Sequence, residues 1–90
     1  MIEYTVKVYP NGDKEWFLNG KLHREDGPAY ESANGNKSWY LNGKLHREDG
    51  PAMEFASGFK YWFLNGERVT EEEHKRQTSK VVEMTMEEIN

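Results

Sequence analysis

The sequence predicts a mainly β protein: an antiparallel up-and-down meander of β-hairpin repeats, about six strands in all, followed by a short C-terminal helical segment. Three observations support this fold class. A 23-residue sequence is repeated along most of the chain, each copy contains a five-residue aromatic run of strand type, and a helix-capping motif follows the last copy. The 90 residues are enough for one repeat array and too few for two domains that enclose a cofactor.

The repeat organises most of the chain. Residues 11–33 and 34–56 form two consecutive copies that are identical at 18 of 23 positions, and a third copy starts at residue 57 and departs from the pattern after residue 67. Residues 5–10 align with residues 28–33 and are therefore predicted to form a half-repeat that caps the array. Such units cannot bury their apolar faces alone and stack on their neighbours. We expect a β-repeat domain over residues 1–69, with repeats starting at 11, 34 and 57.

Each copy contains one strong strand signal and two turn signals. The strand signals are the aromatic runs at residues 14–18, 37–41 and 60–64. An Asn-Gly pair precedes the first two runs, at positions 11–12 and 34–35, and favours a type I′ hairpin turn. A longer connection follows each run and ends at Pro28 or Pro51. With two strands per repeat, equivalent residues of adjacent repeats should lie about 10 Å apart.

Alternation along the runs predicts two aromatic rows on opposite faces of the sheet. These rows are Trp16/Trp39/Trp62 and Phe17/Tyr40/Phe63, and lysines at positions 14, 37 and 60 flank the tryptophan row. Because aromatic side chains bury large areas, they allow a chain with a mean hydropathy of −1.01 to form a core. We expect the rows to serve mainly as packing, with protein contact and nucleotide stacking as alternative uses.

Residues 70–90 are predicted to form an acidic helical tail that packs on the sheet. Residues 70–73 match a capping box, and we expect a helix over residues 71–77. Two favourable i,i+4 ion pairs are predicted on this helix, Glu71/Lys75 and Glu72/Arg76. After Lys80 the pattern fits a helix or a strand, and both alternatives stay open.

The charge distribution excludes several classes of partner. The net charge is −4, divided as −1 over residues 1–69 and −3 over residues 70–90, so no basic footprint for nonspecific DNA or anionic-membrane binding is present. No apolar run approaches the roughly 18 residues of a membrane span, and the first residues lack the pattern of a signal peptide. The absence of cysteine excludes disulfides and thiolate metal sites. These features predict a soluble, cytoplasmic protein that does not bind membranes.

The motif W-[FY]-L-N-G-K-L-H-R-E-D-G-P-A, with its period of 23 residues, resembles the repeat of MORN-like repeat proteins. The variant is similar to that of small proteins of tailed bacteriophages and some bacteria, and the resemblance extends from residue 11 to about residue 73, including the V-T-E-E-E segment at residues 69–73. It implies a β-hairpin scaffold for protein contacts, in the host cytoplasm if a bacteriophage encodes the chain. Plain MORN units have a short His-Gly step where this chain has a longer segment at residues 23–27.

The His-Arg-Glu-Asp segments at residues 23–26 and 46–49 contain the residue types used in metal binding and acid–base catalysis. Ligands of one metal ion lie within roughly 4 Å of each other, so residues one repeat apart cannot share an ion. Glu25 and Glu48 are predicted to lie about 10 Å apart, outside the separation that retaining glycosidases use. We therefore expect structural loops, with no catalytic residue, no metal and no cofactor.

We interpret the protein as a non-enzymatic interaction module that binds and inhibits or modulates a host or bacterial protein, such as a defence component. The candidate partner-binding residues are aromatic and arginine side chains of the type found at binding hot spots, together with one acidic residue: Trp16, Trp39, Tyr40, Trp62, Phe63, Arg24, Arg47 and Glu72.

Two alternative functions and one further association stay open. The first alternative function is nucleotide or oligonucleotide binding on the lysine and tryptophan face, although nucleic acid is the less expected partner. The second is a metal-assisted hydrolase that uses the pairs His23/Asp26 and His46/Asp49. Homo-oligomerisation through sheet edges is a further expectation, because residues 2–8 form a strand rich in β-branched side chains at one end of the array.

Overall fold

The structure is a computed structural model that describes residues 3–79. The described chain contains ten strands, β1 (Thr5–Val8), β2 (Lys14–Leu18), β3 (Lys21–Leu22), β4 (Tyr30–Glu31), β5 (Lys37–Ser38), β6 (Tyr40–Leu41), β7 (Lys44–Leu45), β8 (Met53–Glu54), β9 (Lys60–Leu64) and β10 (Glu67–Val69), and one helix, α1 (Glu71–Thr78). All strand pairs are antiparallel. The fold is a mainly antiparallel β meander with one short helix after the last strand, which confirms the predicted fold class.

The sheet follows the repeats in order. Its strands run β1-β2-β4-β5-β8-β9-β10, with β3 paired to the end of β2, while β6 and β7 form a separate pair. One strand, β4, lies between the equivalent strands β2 and β5, so adjacent repeats are two strand widths apart, or about 10 Å. The N-terminal strand β1 follows the same register. Lys7 lies opposite Glu15, and the residues 23 positions later, Tyr30 and Ser38, also lie opposite each other. The sheet therefore carries equivalent side chains at regular intervals.

The structure has more strands than the expected six because the segment around the Asn-Gly pair that follows each aromatic run, Leu-Asn-Gly-Lys-Leu in the first two copies and Leu-Asn-Gly-Glu-Arg in the third, folds into a hairpin of its own. These hairpins are β2–β3, β6–β7 and β9–β10. At each turn the asparagine and the following glycine both have positive φ: 53° and 79° at Asn19-Gly20, 51° and 80° at Asn42-Gly43, 50° and 84° at Asn65-Gly66. Two successive positive φ angles are what a type I′ turn requires. The type I′ turns thus lie at the C-terminal end of each aromatic run.

The Asn-Gly pairs that precede the aromatic runs do not form type I′ turns, and this part of the sequence prediction is wrong. Gly12 has a φ of 98°, but Asn11 is not among the residues with positive φ. Tyr9 N donates to Asp13 O, and Gly12 N donates to Tyr9 O. Three residues therefore separate the paired strand ends, and the glycine serves as the bulge residue of a three-residue hairpin loop. The loops at Gly35 and Gly58 have the same hydrogen bonds.

The core on the tryptophan face alternates large and small residues across the strands. The register places Ala29 between Trp16 and Trp39, and Ala52 between Trp39 and Trp62. Both alanines are fully buried, with 0% exposure. A methyl group at these positions leaves room for the neighbouring indole rings. Packing of the tryptophan row thus depends on two alanines that the aromatic pattern does not reveal.

Helix α1 begins where the third copy departs from the repeat. Thr70 is its N-cap, and the Thr70 hydroxyl accepts a hydrogen bond from Glu73 N at 3.1 Å. The Gln77 amide and the Arg76 guanidinium both contact the Glu73 carboxylate and hold the pKa of Glu73 below its ordinary value of 4.5. The helix ends at Thr78, one residue beyond the predicted end. The predicted threonine half of the capping box is therefore present, whereas the Glu73 carboxylate contacts Gln77 and Arg76.

The two predicted ion pairs on α1 have different outcomes. Glu71 and Lys75 form the expected i,i+4 pair, with 3.3 Å between Oε2 and Nζ. Glu72 and Arg76 do not pair, because Arg76 contacts Glu73 on the adjacent position of the helix instead. The i,i+3 and i,i+4 positions are both neighbours on a helix, so sequence spacing alone does not choose between them.

One buried histidine fixes α1 against the repeats. His74 is 3% exposed, and its Nε2 donates to the backbone oxygen of Arg47 at 2.5 Å. The helix lies along β9, in the position where the earlier copies have their connecting loop and next strand. The helix-or-strand question for the segment from Lys80 onward concerns residues outside the described range.

Candidate protein-interaction face

The most regular surface of the molecule is built by two connecting segments, loop 1 (residues 23–28) and loop 2 (residues 46–51). Each loop leaves a type I′ hairpin and folds back over the tryptophan face. The Arg24 Cζ lies 4.1 Å from the centroid of the Trp16 ring, and the Arg47 Cζ lies 3.8 Å from that of Trp39. These distances are typical of cation–π stacking. Both predicted partner-binding arginines therefore cover predicted partner-binding tryptophans of their own repeats.

A glycine closes the other side of each arginine. A Cβ added to Gly27 would lie 2.8 Å from Arg24 Cζ, and one added to Gly50 would lie 2.9 Å from Arg47 Cζ. A side chain at either glycine would require the guanidinium group to move away from this position. Each guanidinium plane thus lies between an indole ring and a glycine. This contact gives a specific reason for the glycine of the Asp-Gly-Pro sequence in both copies, in addition to the general preference for glycine in turns.

Hydrogen bonds fix the arginines within their own loops. Arg24 donates from Nε to Asp26 Oδ1 at 3.1 Å and from Nη1 to the Pro28 oxygen at 3.2 Å. In loop 2, Arg47 makes the equivalent bonds to Asp49 and Pro51, both at 3.0 Å, and its Nη1 also donates to Glu54 Oε2 at 2.7 Å. All of these hydrogen bonds are made within the protein, so the first role of both arginines is to hold the loops on the sheet.

The loop histidines connect each repeat to the next one. His23 Nδ1 accepts from Asn42 N at 2.8 Å, and His46 Nδ1 accepts from Asn65 N at 2.9 Å. Both bonds reach the first residue of the following type I′ turn. The Tyr4 ring stacks on His23 with a centroid distance of 6.3 Å and covers the first copy of this contact. The histidines thus set the stacking of repeats.

The hydrolase alternative needs a group of side chains that could bind a metal ion, and the described residues do not provide one. Over residues 3–79, no group of three or more histidine and carboxylate side chains lies close enough to hold a metal ion. The Nδ1 atoms of both loop histidines already accept backbone hydrogen bonds, and Asp26 and Asp49 pair with the arginines. The four residues of the predicted pairs therefore have structural partners in both copies.

Two clefts with a similar lining lie beside loop 2, one on each side. The first cleft, of about 610 Å³, lies between loop 1 and loop 2, with Trp39 and Leu41 in its lining. The second cleft, of about 520 Å³, lies between loop 2 and α1, with Lys60 and Trp62 in its lining. Four exposed or rim carboxylates line the first cleft: Glu25, Asp26, Glu48 and Asp49. We call the surface formed by both clefts and both loops the loop face.

The predicted partner-binding residues do not form one surface. Trp39 and Trp62 line the two clefts of the loop face, whereas Trp16 lies beneath Arg24. Tyr40 and Phe63 alternate with the tryptophans along their strands and lie on the opposite face of the sheet. Glu72 is the remaining candidate. It is exposed in the first turn of α1 and lies at a separate small cleft. Sequence reasoning did not identify the rim carboxylates as part of a surface, although their position in a repeated loop was the available signal.

The lysine row of the tryptophan face is neutralised by glutamates in the intervening strands. The register produces the row Lys14, Glu31, Lys37, Glu54, Lys60, with directly opposite residues of opposite charge at every step. Opposite charges at such positions stabilise a sheet. Single-stranded nucleic acid needs a positively charged groove and accessible aromatic rings. This face has alternating charge, and arginines cover two of its three tryptophan rings, so the geometry does not favour the nucleotide alternative.

A separate cleft on the opposite side of the first hairpin contains two tyrosines and two carboxylates. The Tyr9 hydroxyl donates to Glu15 Oε1 at 2.5 Å, and this bond to a carboxylate raises the pKa of Tyr9. Burial raises the pKa of Tyr30, with a further contribution from the carboxylate of Asp13. The residues 23 positions later are Ser32, Asn36, Ser38 and Met53, so this cleft is not part of the repeated surface.

The comparisons with known proteins identify no relative. No protein-family model matches the chain, and neither curated proteins nor solved structures are significantly similar to it. No helix among the described residues is long and apolar enough to cross a membrane.

Proposed function

We propose that the protein is a non-enzymatic interaction module whose loop face binds a bacterial host protein and inhibits or modulates it. The observation that carries this proposal is that the histidine, arginine and aspartate of each loop bind other groups of the protein in the same way in both copies. In both copies the histidine, the arginine and the aspartate are committed to holding the loop, and the exposed groups that remain form a regular surface. A surface built in this way supports recognition rather than group transfer.

The loop face has the properties of a recognition surface for a basic partner. Its clefts combine aromatic rings in their lining with glutamates at their rims. Aromatic side chains in such positions are frequent among binding hot spots, and rim charges increase association rate and specificity. Strands and stacked arginines hold the rings, so little ordering is needed on binding. The resemblance of the repeat to MORN-like bacteriophage proteins supports a cytoplasmic host protein, such as a defence component, as the partner.

The test is affinity capture from bacterial lysate with matched variants of the full chain. The loop-face variant carries Glu48→Lys, and the control variant carries Glu67→Lys on β10, where the glutamate is also exposed and the charge change is the same. We expect wild type and control to retain the same protein and the loop-face variant to lose at least tenfold of it. The captured protein is then purified and its activity measured with and without the chain.

Two outcomes contradict the proposal. One is that no protein is retained above the level of a tag-only column, and the other is that capture occurs equally with all three chains. Circular dichroism and tryptophan fluorescence identify a variant that has lost its fold, and Glu48→Gln then replaces the charge reversal.

A further inference from the structure

The first strand of the sheet has one edge without a partner among residues 3–79. β1 is the end strand of the sheet and pairs with β2 alone. Its counterpart in the next repeat, β4, is hydrogen-bonded on both sides, to β2 and to β5. The edge of β1 that faces away from β2 is therefore equivalent to an edge that is hydrogen-bonded to a neighbouring strand in β4.

The hydrogen bonds show which backbone groups of β1 face outward. Tyr9 N donates to Asp13 O across the hairpin, whereas Trp16 N donates to Ala29 O, away from β1. Because inward and outward bonding alternate along an antiparallel pair, the N–H and C=O groups of Val6 and Val8 point away from β2. Among residues 3–79, these donors and acceptors of the edge have no strand partner.

The side chains at the same two positions are apolar and accessible. Val6 is 45% exposed and Val8 is 64% exposed, and Tyr9 after the strand is also exposed. Of the four large apolar residues that are markedly exposed in the described chain, three lie on or next to β1. An extended strand edge with β-branched side chains is the usual template for addition of another strand. Backbone and side chains thus indicate the same kind of partner.

We propose that β1 pairs with β1 of a second copy of this chain in an antiparallel, two-fold symmetric sheet with Val6 opposite its own counterpart. In this register Val8 of each copy lies opposite Tyr4 of the other, and Lys7 lies opposite Thr5. Aromatic and β-branched residues are favourable cross-strand pairs, and the two-fold axis produces each pair twice. The sheet then continues from one copy into the next without an interruption.

Charge disfavours the neighbouring register that is centred on Lys7. A shift of one pair would place Lys7 directly opposite Lys7 of the second copy, and like charges in that position are destabilising. In the proposed register each Lys7 faces an uncharged hydroxyl, and Lys7 already lies over the Phe17 ring at 5.0 Å. An interface of one strand edge is small, so we expect a weak dimer rather than an obligate one.

Single cysteine variants of the full chain test the register, because the natural sequence has no cysteine. Directly opposite, hydrogen-bonded residues have Cα atoms about 5.5 Å apart, which fits a disulfide. We expect Val6→Cys to form a disulfide-linked dimer under mild oxidation. Val8→Cys is the matched control, because the two Val8 positions are offset by four residues, about 13 Å along the strands. Cross-linking of Val8→Cys as efficient as that of Val6→Cys would overturn the proposed register.

Sedimentation equilibrium tests the dimer itself. We expect the wild-type chain to dimerise reversibly and Val8→Lys to raise the dissociation constant at least tenfold. Phe59→Lys is the control, since Phe59 is 67% exposed but lies in the hairpin between β8 and β9. A wild-type chain that stays monomeric up to about 1 mM would overturn the proposal, because a constant above that value corresponds to less than about 4 kcal/mol of binding. Equal dimerisation of Val8→Lys and wild type, with both chains folded, would also overturn it.

Discussion

The guanidinium groups of Arg24 and Arg47 show how one side chain can organise a loop. Each lies between an indole ring and a glycine, and each donates to an aspartate two residues later and to a carbonyl four residues later. A planar group with several donors is suited to this position, whereas an ammonium group is not. The copies differ in one contact, because only the second arginine also binds a glutamate, Glu54.

The arginine contacts predict an unequal response to the same substitution. Arg47→Lys removes the planar stack and the paired donors and should lower the free energy of unfolding by about 2 kcal/mol. Arg24→Lys should cost about 1 kcal/mol, because it has one ion pair fewer to lose. Urea denaturation measures both values. Arg68→Lys is the control, because Arg68 also stacks on an aromatic ring, that of Tyr61, but is exposed. Equal losses in all three variants would contradict the prediction.

The hairpin turns show that the same dipeptide forms two different elements in one repeat. Asn-Gly forms a type I′ turn at residues 19–20 and 42–43, and it forms part of a three-residue bulged loop at residues 11–12 and 34–35. The difference lies in how many residues separate the paired strand ends, which the register of the whole sheet determines. A local sequence signal predicts that a turn occurs but does not determine its type.

The two turn types predict different sensitivity to alanine. Asn42 has a φ of 51°, so Asn42→Ala places a less tolerant residue in the left-handed region and should cost about 1 kcal/mol. Asn34 is not among the residues with positive φ, and its side chain accepts only an exposed hydrogen bond from the Ser32 hydroxyl, so Asn34→Ala should cost less. Thermal unfolding of both variants gives the comparison, with Asn42→Gly as a variant that should keep wild-type stability. A larger loss for Asn34→Ala would mean that the turn assignment is incorrect.

At the scale of the whole molecule, the features predictable from sequence are the periodic ones. The repeat length, the aromatic strands, the spacing of the copies and the cap of α1 all follow from local or periodic signals. The placement of Arg47 over Trp39 does not, because it depends on a loop that folds back across the sheet. For the same reason the sequence suggested Arg47 as a partner-binding candidate without showing that it lies over Trp39. The clefts depend on the positions of the loops, which the sequence does not determine.

The sheet is a linear array in which each strand contacts its neighbours. Stability in such arrays is the sum of repeat terms and nearest-neighbour terms, so a defect at one end should remain local. His74→Ala removes a buried side chain and its bond to the Arg47 oxygen. We expect it to lower the protection of β9 amides against hydrogen exchange by about 2 kcal/mol, roughly 30-fold, and to leave β2 nearly unchanged.

The matched experiment applies the same defect to the opposite end of the array. Tyr4→Ala removes the ring that stacks on His23, and its effect should be confined to β1 and β2. Because the two substitutions act on different ends, their exchange patterns should be mirror images along the sheet. If either variant lowers protection equally in β2 and β9, the array unfolds as one cooperative unit. The neighbour contacts made by His23 and His46 would then transmit stability across all three repeats, since these histidines provide the bonds from each loop to the next turn.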